Sequence, residues 1–96
     1  MRVTFHPEAL DEFLEAIEWY EEREIGLGEA FSAEVFSTIE KVQAWPGVWP
    51  ISEGRVRRCL VNRFPYGILY SNTADDVFVL AIMHLHRQPG YWKDRK

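Results

Sequence analysis

The chain has 96 residues, 47% of them hydrophobic and 27% charged, with a net charge of −4 at neutral pH. That length suits one domain, residues 1–96, and is too short for two. The acidic balance argues against non-specific nucleic-acid binding by the whole molecule. The single cysteine, Cys59, excludes an internal disulfide framework and a cysteine-based zinc site.

Charge is placed unevenly. Residues 1–50 carry three basic side chains against eleven acidic ones, and residues 51–96 carry eight basic against four acidic. A local anion-binding face in the second half is therefore an expectation. Glu8, Asp11 and Glu12 follow the start closely, leaving no apolar secretory core behind Met1. The longest apolar run, Val77–Met83, has seven residues, where a membrane helix needs about 20. The expected location is the cytoplasm, with no membrane partner.

Arg2 to His6 is a short β-prone piece. Pro7 suits the first turn of a helix, where its missing N–H costs nothing. Leu10, Phe13, Leu14, Ile17 and Tyr20 then make one apolar stripe at helical spacing, opposite an acidic face. Gly26-Leu27-Gly28 interrupts the pattern. A second helix, starting near Gly28 and ending by Trp45, presents Phe31, Val35, Ile39 and Val42, with Phe36 broadening its stripe. Pro46 to Gly54 reads as an irregular loop.

Beyond it the period changes to two. Residues 55–62, 66–72 and 77–86 read as three strands joined by short connections, so they are expected to run antiparallel. The last is apolar on both alternations and should be covered on both faces. Gln88 to Lys96 reads as a polar tail. The order β-α-α-β-β-β predicts a two-layer α+β domain, with the helical hairpin on one face of a small antiparallel sheet. Leu10, Phe13, Ile17, Phe31, Val35, Ile39, Ile68, Val79 and Ala81 are the expected buried set.

His84 and His86 lie two apart on a strand and are expected to share a face. A metal site needs a third ligand, and the only other histidine is His6, so no metal or other cofactor is expected. Either histidine can act as a base near neutrality or simply end a strand. Arg55, Arg57 and Arg63 alternate onto one side, Arg58 onto the other, and Arg87 ends the last strand. Together they suit phosphate, an acidic partner or the chain's own acidic helix. Trp45, Trp49, Tyr91 and Trp92 lie outside the periodic elements, as satellite core or as interface anchors.

Four stretches resemble one family. His6-Pro7-Glu8-Ala9 with Trp19-Tyr20, then Gly26-Leu27-Gly28 with Phe31, then Arg63-Phe64-Pro65-Tyr66 with Ile68 and Tyr70, and finally His84, Arg87, Pro89 and Tyr91-Trp92 occur in the order seen in the RelE/ParE superfamily. These are toxins of bacterial type II toxin–antitoxin modules, and the likeness covers essentially the whole chain. The resemblance implies neutralisation by a cognate antitoxin, a small DNA-binding protein with an amphipathic tail. The toxin itself is then not expected to bind a specific DNA sequence.

Two activities follow from the superfamily. ParE-like members, including plasmid stabilisation proteins, bind DNA gyrase and need no catalytic set. RelE-like members cut mRNA on the ribosome with basic residues and a tyrosine. The nuclease branch carries an arginine where this chain has Gly67, and it is usually basic, so the ParE-like reading leads. The expected functional surface is Arg57, Arg58, Arg63, His84, Arg87, Tyr91 and Trp92. For a nuclease, His84, Arg87, Tyr91 and Arg57 would carry the chemistry.

Overall fold

The computed structural model describes residues 1–95. Strand β1 (Arg2–Phe5) leads into helix α1 (Pro7–Arg23). The His6-Pro7-Glu8 sequence explains this start. The His6 Nδ1 accepts the Glu8 N–H at 3.1 Å, Pro7 stands in the first turn, and Glu8 faces the positive end of the helix dipole. Helix α2 (Leu27–Ala44) follows, then strands β2 (Ile51–Glu53), β3 (Val56–Leu60), β4 (Tyr66–Asn72) and β5 (Asp76–His84). No helix is long and apolar enough to cross a membrane.

The turn between the helices rests on two glycines. Gly26 has φ +90°, in the left-handed region where a side chain is strained. Gly28 packs against α1 so closely that a Cβ would lie 2.6 Å from the Ile17 carbonyl oxygen. No side chain of α2 itself caps its first turn. Glu21 reaches across from α1 and accepts the N–H groups of Gly26 and Gly28, at 2.9 and 3.0 Å. One carboxylate thus satisfies two backbone donors at the positive helix end.

The five strands form one sheet in the order β1-β5-β4-β3-β2. The expectation of a purely antiparallel sheet is corrected here. β1 runs parallel to β5, pairing Arg2 with Asp76 through Phe5 with Val79, and the other pairings are antiparallel. Because α1 and α2 lead back before the meander begins, the first strand arrives on the far edge in the same direction as the last. The loop expected at 46–54 also contains β2, whose three residues are all exposed. The strand expected to reach residue 86 ends at His84.

The helices cover one face. Phe13, Phe31, Val35, Ile39 and Val42 pack on Ile68, Tyr70, Val77 and Val79. The Tyr70 hydroxyl, fully enclosed, donates to the Pro46 carbonyl at 2.6 Å and fixes the exit from α2. Burial pushes that hydroxyl up to about 12. Ala81 is buried on the opposite face, with Leu69, Met83 and Trp92. The C-terminal tail therefore supplies the second cover over β5.

Ile17 is only partly buried, and Leu10 is 44% exposed. The inward line of α1 is Ala9, Phe13 and Ala16. Small residues let the helix approach its neighbours, and this rotates Leu10 and Leu14 to the rim. Phe36 is likewise half exposed and meets the Phe13 ring edge-on at 5.6 Å.

Candidate functional site

A cleft of about 540 Å³ lies between α1 and the side of β5 that β1 leaves free. Glu15 and Trp19 line it from α1, Tyr66 and His84 from the sheet, and Arg87 and Tyr91 from the segment after β5. His84 sits opposite Tyr66 in the β4–β5 register, with ring centroids 5.1 Å apart. Arg87 lies beyond the strand, in a turn closed by its N–H to the His84 carbonyl at 3.0 Å. Its guanidinium stacks over Tyr91, 4.0 Å from the ring centroid.

His84 is held in one hydrogen-bonding role. Its Nδ1 accepts the His86 N–H at 3.1 Å. In the neutral ring this assigns the proton to Nε2, leaving a donor, not a base, for the cleft. Partial burial and the neighbouring His86 ring hold its pKa below the ordinary histidine value. We expect an NMR titration of His84 to show a midpoint below about 6.5. His86→Ala should raise that midpoint towards the ordinary value.

Tyr91 is also committed. Its hydroxyl donates to Glu12 Oε2 at 2.7 Å. Burial and the adjacent carboxylate raise it well above the usual tyrosine range. Glu12 in turn takes a two-pronged ion pair from Arg95, at 2.8 and 2.9 Å, and accepts the Ile82 backbone N–H at 3.0 Å. Neither Glu12 nor Arg95 stood out in the sequence. Glu12 is one of many acids on α1, and 83 residues separate it from Arg95.

Arg57, Arg58 and Arg63 do not line this cleft. Arg57 faces the helix side and donates to the Trp49 carbonyl at 2.7 Å. It pairs with Tyr70, four residues along β4 from the Tyr66–His84 pair, which is about 13 Å. Arg58 points to the opposite face, as consecutive strand residues must. A Cβ at Gly67 would lie 3.3 Å from the Arg58 Cγ, so the stem of Arg58 fills the space above that glycine. Arg63 sits in the β3–β4 turn with φ 70°, its guanidinium 5.4 Å from the Phe64 ring centroid.

Trp92, expected on the functional surface, is 6% exposed and belongs to the core beneath the sheet. His86 does not share a strand with His84, since it lies past the end of β5. Among the described residues no three His, Cys, Asp or Glu side chains cluster to hold a metal ion. The cleft therefore combines one exposed cation, one histidine donor, the carboxylates of Glu12 and Glu15, and an aromatic wall.

Residues 3–89 match the family model described as the ParE toxin of the type II toxin–antitoxin system, parDE. The chain belongs to the ParE toxin family. The solved structure of a chromosomal ParDE toxin–antitoxin system from P. aeruginosa has the same fold. It is 20% identical, with a TM-score of 0.64, covering 90% of this chain and 97% of that one. No curated protein matches the chain significantly in sequence.

Proposed function

We propose that this ParE-family toxin acts in the bacterial cytoplasm by binding a protein target such as DNA gyrase, and that a cognate antitoxin neutralises it. The dispersal of the cationic residues carries this reading. A ribosome-dependent ribonuclease must activate a 2′-hydroxyl, stabilise a dianionic phosphorane and protonate the leaving oxygen. Only Arg87 and His84 of the four candidates offer free polar groups to one cleft. Arg57 lies elsewhere, and the Tyr91 hydroxyl is tied to Glu12. Binding needs no such convergence. An aromatic cleft with an exposed guanidinium stacked on its wall suits a protein contact.

Neutralisation fits the surface as well. Leu10, Leu14 and Phe36 leave apolar area exposed on the helical hairpin. An amphipathic antitoxin segment would bury such area. Controlled expression of the chain in a bacterial host tests both statements. The expected result is growth arrest with induction of the DNA-damage response, relieved by the product of the adjacent reading frame, which co-purifies with the chain. Arrest of translation with intact DNA would favour the RelE-like ribonuclease instead.

A further inference from the structure

β5 spans nine residues, but its parallel partner β1 accompanies only Asp76–Val79. His6 donates its N–H to the Val79 carbonyl at 2.8 Å, and the chain then turns away into α1. The stretch Leu80–His84 is left without a strand on that side. Exposed strand edges are templates for pairing with another chain. This one is a strong template, because Val77–Met83 has seven apolar residues, no charge and no proline.

A register shift bears directly on that edge. Leu69 pairs with Ala81 and Tyr70 with Val79, so Leu80 is an extra residue in β5. The Leu80 carbonyl and the Ile82 N–H flank a single residue on that edge, and a neighbouring strand would engage both, from one residue if parallel and from two if antiparallel, as a two-fold copy would be. Both are taken by side chains. Arg95 Nη1 donates to the Leu80 carbonyl at 3.0 Å, and Glu12 Oε1 accepts from the Ile82 N–H at 3.0 Å. Arg95 and Glu12 are joined to each other, and their side chains are only 9% and 15% exposed.

We infer that the Glu12–Arg95 pair stands in for the missing strand, and that it keeps the free edge of β5 from pairing with the same edge of a second copy. The guanidinium supplies the donor and the carboxylate the acceptor that a backbone amide would offer. Tyr91 braces the carboxylate through its hydroxyl. The occupant excluded is another β5 because an uncharged apolar strand meets its own copy without repulsion, and a two-fold axis makes such pairing self-complementary.

The test uses the full chain and its Arg95→Ala variant. At low concentration, the Ile82 amide of the variant should exchange on the order of a hundredfold faster than in the wild type. As concentration rises, its mass-average in sedimentation should roughly double relative to the wild type. Protection should then return at Leu80–His84. A folded variant with wild-type exchange and sedimentation would overturn the inference. Association that leaves the Ile82 amide unprotected would also overturn it, by placing the contact elsewhere. Should Arg95→Ala fail to fold, Arg95→Lys carries the test. It keeps the charge but loses the fork, so unchanged Ile82 exchange in it contradicts the inference and faster exchange supports it.

Discussion

Phe31→Ala should lower the stability of the chain by about 3–5 kcal/mol, the usual cost of deleting a large aromatic side chain from a close-packed core. Phe31 is fully buried, and four rings surround it. Tyr66 and Tyr20 lie 4.9 and 5.1 Å away by ring centroid, Phe64 5.2 Å and Phe13 6.1 Å. These come from α1, from the β3–β4 turn and from β4, so one cavity would loosen both layers. Tyr66 faces His84 on its other side, which links the loss to the cleft. Urea unfolding measures the effect through a lower midpoint at unchanged slope.

Gly28→Ala should cost about 2–3 kcal/mol by overpacking. The added methyl would meet the Ile17 carbonyl oxygen at 2.6 Å and the Glu21 Cβ at 3.0 Å. Backbone cannot swing aside as a flexible side chain can, so α2 must move away from α1. That movement also strips Glu21 from the N–H groups it caps. Gly47→Ala is the control, because a Cβ there meets nothing within 4 Å. Thermal melts of the two variants should separate clearly, with Gly47→Ala close to the wild type.

The contrast between these glycines shows what the sequence could convey. Gly26-Leu27-Gly28 interrupts a strong helical period, and that interruption is visible without a structure. Strand β4 is equally legible, because its apolar residues lie between short polar turns. The inward line of α1 is not, since Ala9 and Ala16 carry little hydropathy beside Leu10 and Leu14. Their value lies in being small, which matters only once the helix has a neighbour. The parallel pairing of β1 joins residues 74 apart and leaves no periodic trace in Arg2–Phe5.

The cleft was half legible. His84, Arg87 and Tyr91 lie close in sequence, and the turn after β5 brings them together. Residue type alone groups Arg57 and Arg58 with them. Register decides otherwise, because adjacent strand residues face opposite sides and Arg57 pairs far along β4. Glu12 and Arg95 carry no signal in the sequence for a related reason. Their roles depend on an unpaired edge, and that edge exists only because β1 is shorter than β5. Trp92 reads as a surface aromatic in a polar tail, yet it is the tail's anchor beneath Leu69, Ala81 and Met83.

The most direct test of a binding mechanism places purified chain, Arg87→Ala and His84→Ala in two parallel reactions. One contains gyrase and supercoiled DNA, and the other contains programmed ribosomes with mRNA. Gyrase-dependent DNA breaks or loss of supercoiling are expected with the wild-type chain, and intact mRNA with all three proteins. Codon-phased mRNA cleavage by the wild type, abolished in both variants and accompanied by unimpaired gyrase, would contradict it.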